Sequence, residues 1–150
     1  MLQQLLVLVR GIPGSGKSTV ADLMSPGVAV HSADDYFMIN GEYIFDPKYL
    51  GEAHSKCQKA VALELERGRG ATVANTFTQR WEMEPYLRMA SMSGARVVVV
   101  DCFDGGMTDE QLAEKNVHGV PLAAVTAMRN RYEHDWRSGD PRPPWQRKER

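Results

Sequence analysis

The chain is poor in features that would send it outward. Two cysteines, Cys57 and Cys102, stand among 150 residues and form no metal-ligand spacing. Both are expected to be reduced core residues, and no structural metal is expected. Against 19 Asp and Glu there are 18 Lys and Arg, a net charge of −1. No global field therefore marks a nucleic-acid partner, although a local basic stripe stays open. No apolar run reaches transmembrane length, so no membrane partner is expected. The opening MLQQLLVLVRG has no basic leader and reads as a strand rather than a signal peptide. Internal repeats and low-complexity segments are absent. The length suits one domain with a full core. A soluble, cytoplasmic protein is expected, with its oligomeric state open.

What is present begins at Gly11–Ser18, GIPGSGKS. It fits the phosphate-binding pattern GxxxxGK[ST] at every defined position: Gly11, Gly16, Lys17 and Ser18. A loop that wraps a triphosphate must turn its backbone N–H groups inward. Gly14 and Gly16 permit the backbone angles and close approach that a side chain would block. Lys17 is a point charge for the β and γ phosphates, and Ser18 offers an oxygen to Mg²⁺. Pro13, Ser15 and Thr19 complete the residues expected around ATP. Leu5–Val9 before the loop has strand length, and Ser18–Leu23 after it opens a helix, so the phosphates would sit on a helix N-terminus.

The rest alternates strands with helices. A first strand over 4–10 leads through the loop to a helix ending at Met24, where Ser25-Pro26-Gly27 stops it. A second strand is expected over 28–32, then a loop or small hairpin around Asn40-Gly41. Asp46-Pro47 starts a helix that runs to Arg67. A third strand over 71–75, a helix over 81–93 capped by Gly94, and a fourth strand over 95–102 follow. A capping box at Thr108 opens a short helix, 117–121 is a break, and a last helix runs from 122 to 136. The fold class is α/β: a P-loop fold with a small parallel sheet of about four strands, flanked by helices, with a helical lid. Residues 1–137 form this domain, and 138–150 a basic, Pro-rich tail expected to be little ordered.

A GTPase would need a guanine-reading NKxD motif, which is absent. The fourth strand ends in Asp101, where motor-type ATPases place a metal-binding acid, but Asp34-Asp35 closes the strand after the loop helix. Ligands of open α/β sheets bind at the carboxyl ends of the strands, so this pair points to the same rim as the phosphate loop. Phosphoryl transfer to an alcohol needs a carboxylate to take or orient the hydroxyl proton, and Asp34 is the candidate. Asp35 either helps with Mg²⁺ or holds the loop.

LVRGIPGSGKST, SADDYF, FDPKYLGEAHSKCQKA, NTFTQRWEMEPY, LAEKNVHGV and MRNRYEH, in this order, resemble the polynucleotide-kinase-like P-loop ATPases. The similarity covers about 6–134. The nearer resemblance is to the kinase-like domain of an animal ubiquitin-ligase-binding protein, the more distant one to the phage polynucleotide 5′-hydroxyl kinase. The resemblance implies ATP and Mg²⁺ on Lys17 and Ser18, Asp34 as general base, and Asn75-Thr76 near the acceptor. The chain departs from the pattern at Ala74, at Phe77 and at Phe37, where the phage kinase has an arginine for the acceptor's phosphate. In the lid stretch, Lys115 or His118 would have to replace an arginine on the γ-phosphate, and lysine is not equivalent to arginine there.

Other candidates carry two readings each. Arg80 reaches a phosphate or is a solvated first-turn residue. Arg129 and Arg131 line the phosphate path or form the wet face of a helix. Tyr36, Phe37, Phe77 and Trp81 stack on a base or pack the rim down. The expected activity is ATP-dependent phosphorylation of a hydroxyl of a nucleic acid or nucleotide, with a polynucleotide 5′-hydroxyl foremost. The alternatives are hydroxymethyluracil in phage DNA (in the host cytoplasm), a nucleoside or small molecule, and an ATP-binding interaction module without transfer.

Overall fold

The computed structural model describes residues 4–133. Its centre is a four-stranded parallel sheet of β1 (Leu5–Arg10), β2 (Val30–His31), β5 (Ala71–Asn75) and β6 (Arg96–Asp101), in the order β2-β5-β1-β6. A small antiparallel hairpin, β3 (Met38–Ile39) and β4 (Glu42–Tyr43), stands apart. The helices are α1 (Lys17–Met24), α2 (Leu50–Glu66), α3 (Arg80–Ser93), α4 (Asp109–Lys115) and α5 (Leu122–Arg131). None among the described residues is long and apolar enough to cross a membrane.

Strand order and handedness together assign the layers. The step from β1 to β2 runs one way across the sheet; the steps β2 to β5 and β5 to β6 run the other way. Right-handed crossovers then put α1 on one face and α2 with α3 on the other. The two-residue period of a strand sorts the side chains to match. Leu6, Leu8, Ala71 and Val73 pack with Cys57, Val61 and Leu65 of α2 and Met83, Tyr86 and Ala90 of α3. Val9 and Ala74 pack with Ala21 of α1 and with Cys102. Both faces are covered, so these strands are apolar on alternate and intervening positions alike.

Three boundaries differ from expectation. The second strand pairs only at Val30 and His31, opposite Thr72 and Val73. Before it, Val28 N–H closes a turn onto Ser25 O at 3.1 Å, and the Ser25 hydroxyl shares a 2.6 Å hydrogen bond with that of Thr72. After it, Ser32 leaves the sheet to cap the next turn. The Asp46 start is a 3₁₀ turn over Pro47–Tyr49, with the Asp46 carboxylate accepting from Lys48 N–H at 3.0 Å, and α2 proper begins at Leu50. The hairpin turns at Asn40 and Gly41, with φ of 51° and 82°, the left-handed pair a two-residue type I′ turn requires. The last helix ends at Arg131; residues 134–136 of its expected course and the tail over 138–150 lie outside the described residues.

The carboxyl end of β1 holds a buried arginine that no pattern in the sequence marks. Arg10 is 1% exposed. Its Nε and Nη2 donate to Phe77 O at 2.9 and 2.6 Å, Nη2 also to Thr78 O at 3.3 Å, and Nη1 to Glu133 O at 2.6 Å. Nη1 also reaches the Asp101 carboxylate at 3.3 Å, and the guanidinium lies 4.3 Å over the Tyr132 ring. Tyr132 O–H donates to the other Asp101 oxygen at 2.9 Å, and burial raises the phenol's pKa, keeping it a donor. Removing one side of a buried pair strands the other and the carbonyls with it. Arg10→Met and Arg10→Lys should therefore each lower stability by roughly 3 kcal/mol in urea unfolding; near-native stability of the lysine variant would show that the fork geometry is dispensable.

Candidate active site

The phosphate loop has the backbone its glycines predict. Gly14 and Gly16 both sit at φ 84°. Gly16 is the N-cap of α1, which has no side-chain cap, so the first N–H groups of that helix are unspent. The Ser15 hydroxyl is buried without a hydrogen-bond partner. Lys17 makes no hydrogen bond or ion pair among the described residues; burial pushes its pKa down, while the charge of Asp34 and then Cys102 pushes it back up. Unspent donors, an orphaned hydroxyl and a desolvated cation converge on one spot, which is the chemistry of a phosphate cradle.

The loop is also tightly backed. A Cβ at Gly11 would strike the Ser15 side chain and come within 3.2 Å of Cys102 Cβ. One at Gly14 would lie 2.9 Å from Leu112 O of α4. Leu112 belongs to an apolar cluster with Ile12, Val125 and Tyr132 that ties α4 and α5 to the loop.

Asp34 lies in a 3₁₀ turn over Ala33–Phe37, straight after β2. Ser32 Oγ accepts from Asp34 N–H at 3.1 Å, and Asn75 Oδ1, at the end of β5, accepts from Ala33 N–H at 2.9 Å. Asn75 thus anchors the turn that carries Asp34. One Asp34 oxygen accepts from Tyr43 O–H at 3.0 Å, and the other lies 3.4 Å from His118 Nε2 in the segment between α4 and α5. The structure thus brings Lys17, Asp34 and His118 to one rim. Asp35 caps its own turn, accepting from Ser32 N–H at 3.2 Å. It also lines a cavity of about 700 Å³ with Tyr36, Tyr49 and Lys56, to which no phosphate-loop residue contributes. Asp101 faces Arg10 and Tyr132.

The acceptor side changes more. Phe37 is 2% exposed, packed with Ala33 and Ala53 and edge-on to Phe45 at 5.0 Å. Phe77 is equally buried, edge-on to Tyr86 at 5.5 Å, with its backbone at φ 42° to aim its carbonyl at Arg10. Both rings pack the rim down, and Phe37 also borders the cavity that Asp35 and Tyr36 line. Tyr36 gives its hydroxyl to Glu52 at 2.8 Å beneath Lys56. Thr76 is half-buried, and its carbonyl accepts from Gly11 N–H at 3.3 Å. Arg80 is exposed and pairs with Glu84 at 3.3 Å, while Trp81 is 69% exposed. Lys115 is exposed in the last turn of α4.

Arg129 is a staple rather than a lid cation. It binds Asp104 at 2.6 Å and Met107 O at 3.2 Å, and it also binds Asp109 at the start of α4. Arg131 donates to Thr78 Oγ1 at 3.0 Å. Tyr43 is the site residue that sequence reasoning missed. It lies nine positions beyond Asp34, and only the Asn40-Gly41 turn, which folds β4 back on β3, returns it to that carboxylate.

Two outcomes follow. Gly14→Ala must move Leu112, so it should cost about 1–3 kcal/mol in urea unfolding, whereas Gly16→Ala, with open space around it, should cost only about 1 kcal/mol of backbone strain. The hydrogen bond from Arg129 holds the Asp109 carboxyl below its usual range. A depressed folded-state pKa stabilises above the unfolded value, near pH 4, and that stabilisation is lost as pH falls through the folded value. Arg129→Gln should therefore lower Tm by about 3–5 °C at neutral pH, and the deficit should shrink in melts below about pH 4.

An AAA domain family model, AAA_33, matches residues 6–134. Human NEDD4-binding protein 2 is 38% identical over 133 residues, which is 85% of this chain, and the chain spans only 8% of that protein's length. A chain of the Pnkp1/Rnl/Hen1 RNA repair complex superimposes with a TM-score of 0.71 at 17% identity, over 93% of this chain and 47% of that one. A gluconokinase from Sinorhizobium meliloti 1021 superimposes with a TM-score of 0.55 at 17% identity, over 93% and 77%. At such identities the structural likeness speaks for the fold, a parallel sheet flanked by helices as in P-loop kinases. The match over nearly the whole chain and the phosphate cradle on β1 and α1 together say that this protein belongs to the AAA domain family AAA_33.

Proposed function

We propose that the protein is an ATP- and Mg²⁺-dependent phosphotransferase whose acceptor is a hydroxyl of a nucleic acid, foremost a polynucleotide 5′-hydroxyl. The observation that carries this reading is the pairing of an unspent cradle around Lys17 with a carboxylate, Asp34, whose charge Lys17 feels. ATP would supply the phosphoryl group at the cradle, with Mg²⁺ neutralising its oxygens.

The chain's own part is positioning and charge. The uncapped N–H groups of α1 and the Ser15 hydroxyl bind phosphate oxygens. Lys17 offsets negative charge as the γ-phosphoryl leaves, and Ser18 is the candidate oxygen for the metal. Asp34 takes the acceptor's proton as the new bond forms. The 116–121 segment, carrying His118 across Asp34, keeps water out, since water is the competing acceptor. Asn116 ties the two ends of that segment together: its Oδ1 accepts from Val120 N–H at 2.8 Å, and its Nδ2 donates to Val120 O at 3.0 Å.

The nucleic-acid reading draws support from the exposed Trp81, a face on which a base can stack, and from the neighbouring Arg80. The hydroxymethyluracil alternative draws on the missing arginine after Asp35, on Phe37 and Phe77 and on the small domain; the burial of both rings weakens one of these three grounds.

Labelled ATP offered with 5′-hydroxyl DNA, RNA, hydroxymethyluracil DNA and nucleosides should leave its label on the oligonucleotide 5′ end. Label on a base or only on a nucleoside would replace the proposed acceptor, and none anywhere would favour a binding module. Asp34→Asn should cut transfer by about 10²–10⁴-fold with ATP affinity nearly intact, whereas Lys17→Ala should lose both. Wild-type transfer by the asparagine variant would remove Asp34 from its role.

A further inference from the structure

Both oxygens of Asp34 are engaged, and the two engagements are unlike. Tyr43 O–H donates to Oδ1 at 3.0 Å from β4. His118 Nε2 stands 3.4 Å from Oδ2, and the other ring nitrogen, Nδ1, is buried with no partner. The first contact has good hydrogen-bond geometry. The second is long and leaves a polar atom unsatisfied, so it is the one poised to break.

Tyr43 is itself held from several sides. Its ring lies nearly parallel to Phe45, 9° apart with centroids at 6.4 Å, and meets Phe37 edge-on at 6.1 Å. The His118 ring rests on it with centroids 4.3 Å apart. Burial, and next the Asp34 charge, raise the phenol's pKa, so it stays a hydroxyl and a donor. Three ring contacts therefore hold the phenol oxygen in place, and its O–H, directed at Asp34, restrains one carboxylate oxygen. A carboxylate held at Oδ1 is restrained in rotation, which narrows the directions in which Oδ2 can accept.

We propose that Tyr43 is a positioning residue for the general base: by pinning Oδ1 of Asp34 it presents Oδ2 to the acceptor hydroxyl, and its ring is the seat on which the lid histidine closes over that oxygen. The inference rests on the phosphotransferase reading above and adds a residue that neither the motif nor the cradle includes. When the acceptor arrives, its hydroxyl displaces His118 from Oδ2. The hydroxyl oxygen forms the bond to phosphorus, the bond to the leaving diphosphate breaks with its electron pair going to that group, and the hydroxyl proton passes to Oδ2. Tyr43 keeps its proton throughout.

The test uses the full chain with labelled ATP and a 5′-hydroxyl oligonucleotide, comparing wild type, Tyr43→Phe, Tyr43→Leu and Asp34→Asn. Tyr43→Phe keeps the ring and loses only the hydroxyl. It should lower kcat by about 10–100-fold, the scale of a misaligned reacting group, with KM for ATP and for the oligonucleotide within about twofold. Tyr43→Leu should show the same loss in kcat and, in addition, faster hydrogen exchange over residues 116–120 because the seat of His118 is gone. Tyr43→Phe should leave that exchange unchanged. Wild-type kcat in Tyr43→Phe beside an inactive Asp34→Asn overturns the role of Tyr43 alone. A loss confined to KM overturns it too. Wild-type transfer by Asp34→Asn, or no transfer by wild type to the oligonucleotide, overturns the parent reading and the proposal together.

Discussion

A buried guanidinium organises the rim on which the candidate site is built. Arg10 closes β1 one residue before the phosphate loop, and five hydrogen bonds run from it to the β5–α3 loop, to β6 and to the chain just past α5. A desolvated arginine is costly unless its fork is filled and its charge balanced. Phe77 and Thr78 fill most of the fork with carbonyls, and Asp101 supplies the charge. The left-handed backbone of Phe77 follows from this demand, because its carbonyl takes two of the bonds. So does the commitment of Asp101, an acid whose place at a strand end resembles a metal ligand but whose partners are Arg10 and Tyr132.

From that anchor the site is assembled by segments far apart in sequence. The phosphate loop lies between β1 and α1, and Asp34 comes from the turn after β2. The two contacts of the Asp34 carboxylate come from the hairpin and from the segment between α4 and α5. Each segment carries its own apolar anchor: Ile12 with Leu112, Val125 and Tyr132 under the loop and lid, and Phe37 with Ala33 and Ala53 under the base. Burying a side chain of that size stabilises by about 1.5–3 kcal/mol, which suffices to hold a local turn in register. Preorganisation of this kind is what phosphoryl transfer asks of a protein, since the chemistry needs charges and distances more than reactive groups.

Much of this was legible in the residues. The phosphate loop, its strand and helix, the parallel four-stranded sheet and the position of Asp34 at a strand end all follow from local pattern, because glycine conformations, strand periodicity and helix caps are short-range physics. The roles of the rim aromatics and arginines were not legible. Phe37 and Trp81 flank rim loops alike, yet one is buried under the hairpin and the other lies open, a difference set by where α2 and α3 pack. Arg129 reads as a wet-face charge until Asp104 and Asp109 are brought beneath it by the loop after β6.

The sequence by itself therefore determined a phosphate-loop motif between a strand and a helix, with an acid pair just after the next strand of the chain. Tertiary structure alone decided what completes it. Tyr43 and His118 meet on Asp34 only because a two-residue turn folds β4 back and the packing of Leu112 on Ile12 holds α4 and α5 against the phosphate loop. Contacts of that kind depend on chain reversals and on packing between helices, and neither leaves a periodic trace in the residues that finally touch.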